Sequence, residues 1–199
     1  MKILLIGANG TLGKAIEQQL QERHSIVRIG RTSGELQVDI TDSASIRRLF
    51  EQTGNFDALI CAAGNLHFGA LAEMDAGHYA IGLQDKLMGQ VNLVLIGREF
   101  ANDGASFTLT SGVLSDDPIR YGSSASMVNA AVDGFVRGAA IELPRGMRIN
   151  SVSPTVVEES LPSYGPYFRG FKPVPAAIAA LAYAKSAEGA QTGQMYQVF

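Results

Sequence analysis

At 199 residues, 46% of them hydrophobic and 18% charged, the chain has the length and composition of one well-buried globular domain and not of a disordered or fibrous protein. A formal net charge of −3 with no basic block argues against nucleic acid as a partner. No apolar run approaches the roughly 20 residues of a bilayer span, so no membrane contact is expected, and one cysteine leaves no internal disulfide and fits a reducing cytoplasm.

In chain order, short apolar runs alternate with helical patterns. Ile3-Leu4-Leu5-Ile6 reads as a strand buried on both faces, too short and too close to a glycine turn for a signal peptide. Leu12, Ile16 and Leu20 recur at helical spacing. Ile26–Ile29 predicts a second strand and Leu36–Val38 a short third. Thr41-Asp42-Ser43 offers capping side chains before a helix carrying Ile46, Leu49 and Phe50. Ala58–Ala62 predicts a fourth strand, followed by a long helix with the stripe Leu83, Leu87, Val91, Val94. Phe107–Thr110 is a fifth strand, Val128, Val132, Phe135 and Ala139 mark a second long helix, and Arg148–Val152 is a sixth strand. Pro154–Pro175, rich in Pro, Gly and Tyr, reads as a loop, with Ala176–Ala187 as the last helix and Gln194–Val198 as the last strand. Alternation of this kind predicts a single-domain, three-layer α/β doubly wound Rossmann fold over residues 1–199, with a mostly parallel central sheet. Ligands of such sheets bind outside the carboxyl ends of the strands.

Motifs fall on that edge. Gly7-Ala8-Asn9-Gly10-Thr11-Leu12-Gly13 joins the first strand to the first helix. Glycines there allow a tight turn and close approach of a pyrophosphate, which the helix N-terminus then holds through its free N–H groups. The second strand ends in Gly30-Arg31-Thr32-Ser33, where NAD sites usually place a carboxylate. An arginine with two neighbouring hydroxyls suits a 2′-phosphate instead, so NADP(H) is expected over NAD(H). No Cys, His and carboxylate cluster has metal-ligand spacing, and no metal is expected.

On these residues the chain resembles the short-chain dehydrogenase/reductase family, as a shortened member, over nearly its whole length. The glycine turn is similar to the family's, with the G-x-x-G-x-x-G spacing of its extended and atypical members. Val38–Asp42 looks like the adenine-binding segment, which implies Asp39 and Ile40 beside the adenine. Cys61-Ala62-Ala63-Gly64 looks like the Asn-Asn-Ala-Gly motif, which lines the cofactor. Arg148–Pro154 resembles the segment whose backbone meets the nicotinamide, implying Pro154 and Val156 there, with Thr155 in place of the usual glycine. Thr110-Ser111 matches the family's serine pair, so the resemblance implies Ser111 as the substrate-polarising serine. The helix that normally carries Tyr-x-x-x-Lys has Ala125 and Asn129 at those two positions, and the nearby Tyr121 lies one turn too early. Lys86-Leu87-Met88-Gly89 matches Asn-x-x-Gly, which places Lys86 where an active-site asparagine would stand. Lysine and asparagine are therefore expected to have exchanged helices, with Lys86 facing Asn129 and serving as acid or ribose ligand; a lysine on an exposed helix face is the competing reading.

The candidate catalytic residues are thus Ser111, Lys86, Asn129 and Tyr121. His67 is an alternative proton donor, Asp116 and Asp117 read as a solvated turn, and Tyr164, Tyr167 and Phe168 could close over a substrate. The expected function is NADP(H)-dependent oxidation or reduction of a small alcohol or carbonyl. The alternative is a catalytically silent NADP(H) redox sensor. The resemblance also implies a homodimer or homotetramer through the two long helices.

Overall fold

The sheet begins as the sequence suggests, with side chains of β1 (Lys2–Ile6) buried alternately on its two faces. Leu4 and Ile6 join one apolar cluster, and Ile3 and Leu5 the other. The computed structural model describes residues 1–199. Its remaining strands are β2 Ser25–Gly30, β3 Leu36–Gln37, β4 Phe56–Cys61, β5 Ala101–Thr110, β6 Arg148–Pro154 and β7 Met195–Val198. They lie in the order β3-β2-β1-β4-β5-β6-β7, and every pairing is parallel, so the sheet is wholly rather than mostly parallel. Parallel pairing requires crossovers, which deposit helices on both faces.

On one face, α2 (Ser43–Thr53), α4 (Met88–Gly97) and α5 (Ser123–Ala139) cover the larger cluster. On the other lie α1 (Thr11–Leu20) and α7 (Ala176–Glu188), with Ile16, Leu20 and Tyr183 fully buried. Asp42 caps α2, accepting from the Ala44 N–H at 2.8 Å, and Ile46, Leu49 and Phe50 are buried below it. Removing the Phe50 side chain would cost about 3–5 kcal/mol by the usual transfer and cavity arithmetic.

The predicted long helix after β4 is interrupted. It runs as α3 (Ala76–Gly82), a π turn at Leu83–Leu87, and then α4. The widened turn changes which residues face the sheet: Leu83 and Leu87 are only half-buried, whereas Lys86 and Gln90 are buried. Gln90 repairs the irregular backbone. Its Nε2 donates to the Lys86 and Thr110 carbonyls at 3.0 Å each, and its Oε1 accepts from the Thr110 N–H at 2.8 Å. The Pro154–Pro175 stretch is not a plain loop: it holds α6 (Leu161–Tyr164) between two short 3₁₀ turns. No helix is long and apolar enough to cross a membrane. Strand order reverses between β1 and β4, and the crevice outside their carboxyl ends is where a ligand of this architecture sits.

Candidate active site

Along that crevice the glycine turn comes first. Gly7 adopts φ +84°, and a Cβ there would lie 2.7 Å from the Ala62 carbonyl oxygen. At Gly13 a Cβ would lie 2.1 Å from the Gly7 carbonyl oxygen, so α1 starts in contact with the turn that feeds it. Gly10 caps α1 without a side-chain hydrogen bond, and no acidic residue occupies the first turn. The first-turn N–H groups, at Thr11, Leu12 and Gly13, therefore have no side-chain cap, a donor set suited to an anion. Asn9 is half-buried and tied into the lip: its Nδ2 donates to Ser33 Oγ at 2.7 Å, and Arg28 Nη2 donates to its Oδ1 at 2.8 Å.

Beyond the turn, Arg31, Asp39, Ile40, Ala63 and Gly64 line a shallow recess with Gly7. Arg31 is largely exposed, and its Nη2 approaches Asp39 Oδ2 at 3.3 Å. Hydrogen bonds from the Thr41 hydroxyl and N–H, with Arg31 adding to them, hold the Asp39 carboxyl below its ordinary pKa. Thr32 and Ser33 are exposed on the loop beside it, Ser33 meeting Asn9 and Thr32 giving its carbonyl to Gln37.

The other end of the crevice is a cavity of about 370 Å³. Leu12, Ala62, Ala63, Gly64, Pro154 and Val156 line it, as do Ser111, Lys86, Asn129 and Ala125. Lys86 is its only charged residue and is buried. Its Nζ donates to the Ser111 carbonyl at 2.8 Å and to Asn129 Oδ1 at 2.6 Å. The structure thus brings together the two residues expected to face each other across the helices. Two glycines make room for them. A Cβ on Gly64 (φ +144°) would fall 2.6 Å from Lys86 Cγ, and one on Gly112 (φ +153°) 2.9 Å from Asn129 Nδ2. Burial pushes the Lys86 ammonium down to about 8, against the pull of the Asp133 charge. Two of the three ammonium donors are used, which leaves one for a ligand.

Tyr121 does not belong to this group, correcting its candidacy as a catalytic residue. It precedes α5 with φ +66°, is 45% exposed and packs against Tyr167 outside the cavity. His67 lies against the ring of His78, with centroids 4.4 Å apart, and does not line the cavity. Tyr164 and Phe168 do line it; Tyr167 does not. Asp116 accepts from Ser115 and Gln197 at the surface, as befits a solvated turn.

Four residues were given no role by the sequence. Gln90 and Asp133 lie four residues beyond Lys86 and Asn129 on the same helical faces, a spacing that could have revealed them. Thr155 lines the cavity with a buried Oγ1 that has no partner. Arg28 supports Asn9 from inside a strand, and no local pattern announces it.

A family model described as enoyl-(acyl carrier protein) reductase matches residues 6–195. The chain belongs to the short-chain dehydrogenase/reductase family. Among solved structures it is similar to the protein lin1944 from Listeria innocua, at 51% identity and TM-score 0.99 with both chains fully covered. It is also similar to a small-chain dehydrogenase at 26% identity and TM-score 0.86, covering 100% of this chain and 95% of that one. A further small-chain dehydrogenase, solved in complex with NADPH, shares the fold at 24% identity and TM-score 0.86, covering 100% and 96%. No curated protein matches the sequence significantly.

Proposed function

We propose that this protein binds NADP(H) and reduces a small carbonyl compound, or oxidises the corresponding alcohol, in the cavity beneath Lys86 and Ser111. The observation that carries the reading is the Lys86 ammonium, buried on the wall of a cavity that also opens on the glycine turn. The residues fit the cofactor. The uncapped start of α1 suits the diphosphate, Arg31 with Thr32 and Ser33 suits a 2′-phosphate, and the orphaned Thr155 hydroxyl suits the polar edge of a nicotinamide. The relative solved with NADPH favours the same choice. When bound, the cofactor supplies the hydride.

The chain's own residues supply the rest. Ser111 lines the cavity, and its hydroxyl, which donates to the Val152 carbonyl over a long 3.4 Å, would turn to polarise an oxygen there. Lys86, brought down to about 8 by burial, is an acid matched to neutral pH and holds a free donor toward the cavity. Asn129 orients it. At the family's tyrosine and lysine positions stand Ala125, which has no proton to give, and Asn129, so Lys86 takes over the cationic role from the opposite helix. Turnover is tested by NADPH consumption at 340 nm over aldehydes, ketones and quinones, with NADPH affinity measured by calorimetry. Absence of heat with NADP⁺ and NADPH at millimolar levels would remove the proposal.

A second reading has its own support: with Ala125 in the cavity and Tyr121 outside it, the protein would bind NADP(H) as a silent redox sensor. Tight NADPH binding without turnover of any substrate would select it. Under either reading, we propose a homodimer or homotetramer through α4 and α5. Their outer faces expose Met88, Leu95 and Met127 beside Ala130, Gly134 and Gly138. A monomeric mass by light scattering would remove that assignment.

A further inference from the structure

Behind the cavity wall lies a carboxylate that the proposed chemistry leaves unused. Asp133 sits one turn beyond Asn129 on α5 and is only 3% exposed. Its Oδ1 accepts from Ser151 Oγ at 2.6 Å, while its Oδ2 is buried with no partner. The nearby Ser111 hydroxyl donates instead to the Val152 carbonyl, over a long 3.4 Å. A buried carboxylate with a free oxygen is costly unless an opposite charge or a proton compensates it.

The compensating charge is close at hand. Lys86 is a buried ammonium whose two hydrogen bonds end on neutral oxygens, and it makes no direct ion pair. Asn129 touches Lys86 and shares a helical face with Asp133, four residues on, and Ser111 gives its carbonyl to the same ammonium. Other ionisable groups face this cluster from each packed element. From β4, Cys61 is pushed up to about 12 by burial and is therefore a neutral thiol when Lys86 titrates. Beside Lys86 in the π turn, Asp85 turns outward to Asn65, accepting from its N–H at 3.0 Å and its Nδ2 at 2.7 Å. Arg137 and Asp116 act on Asp133 with opposite signs.

We infer that Asp133 is the buried countercharge of Lys86, a positioning residue that keeps the ammonium charged and aimed at the cavity from behind Asn129. The inference rests on the reading of Lys86 as the site's cation. Burial raises the Asp133 pKa, and the hydrogen bond from Ser151 opposes that rise. Ser151 thereby helps Asp133 to remain a carboxylate.

The test is a titration of the ligand-free protein, read by ¹³C NMR at lysine Cε, with Lys86 assigned by its absence in Lys86→Met. Asp133→Asn is expected to lower the Lys86 midpoint by about one unit. Asp133→Glu should restore it, and Ser151→Ala should lower it by a smaller amount. Reciprocally, Lys86→Met should raise the carboxyl titration of Asp133, because coupling between two sites is symmetric. Should Asp133→Asn not fold, Ser151→Ala and the Asp133 carboxyl signal decide the matter. An unchanged Lys86 midpoint in folded Asp133→Asn, or in Ser151→Ala together with an unmoved Asp133 in Lys86→Met, overturns the inference. None of these readouts needs cofactor or turnover. Coupling without NADPH binding would sink the proposed function alone, and NADPH binding without coupling would sink the inference alone.

Discussion

The two ends of the crevice solve the problem of charge in opposite ways. At the glycine-turn end, Arg31 and Asp39 meet at 3.3 Å with both side chains well exposed. Water screens that pair, so it contributes little to stability, and its arginine is free to exchange the carboxylate for another anion. At the cavity end, Lys86, Asn129, Ser111 and Asp133 are all buried, with Lys86 bonded to the Asn129 amide and the Ser111 carbonyl. There, desolvation moves proton equilibria instead of being screened away. The proposed function thus assigns binding selectivity to the end where charges are cheap to rearrange, and proton chemistry to the end where they are not.

The largest way to break this contrast is Lys86→Met. It should lower turnover by about 100-fold or more, the usual worth of a positioned acid, as read by single-substrate kinetics. Next is Gly64→Ala, whose added Cβ meets Lys86 Cγ at 2.6 Å in a backbone region unfavourable to side chains. A loss of about 2 kcal/mol in denaturant unfolding is expected. At the other end, Arg31→Ala should weaken NADPH by about tenfold in calorimetry, leave NADH unchanged and leave the melting temperature unchanged.

The remaining effect is one of pH. The Lys86 pKa falls from the ordinary 10.5 to about 8 on folding. Below about 8 both states carry the proton, and the burial cost is fully present. Between about 8 and 10.5 the unfolded chain binds the proton that the native chain has released, so stability rises with pH across that window. Chemical denaturation at several alkaline pH values should show this rise, and Lys86→Met should flatten it. For reduction, the sign is reversed: turnover should fall as pH passes above about 8, where the acid loses its proton.

Much of the fold was legible because its signals are local. A doubly buried strand, a glycine turn and a helix capped by Asp42 each declare themselves within a few residues, and all appear in place. The long helix after β4 misled because periodicity assumes a uniform turn. The π turn at Leu83–Leu87 displaces the leucine stripe and turns Lys86 and Gln90 inward. Tyr121 misled because nearness in sequence to α5 says nothing of direction, and its positive φ sends the ring away from the cavity.

The amino-acid sequence by itself determined the parallel α/β plan, the glycine turn and the identity of the chemical groups at the crevice, since all follow from residue type and spacing along the chain. Only the tertiary structure decided that Lys86 meets Asn129 at 2.6 Å and that Asp133 is buried with one oxygen on Ser151 and the other unpartnered. Those contacts join segments far apart in the chain, and desolvation, which sets their proton affinities, exists only once the helices have closed over them.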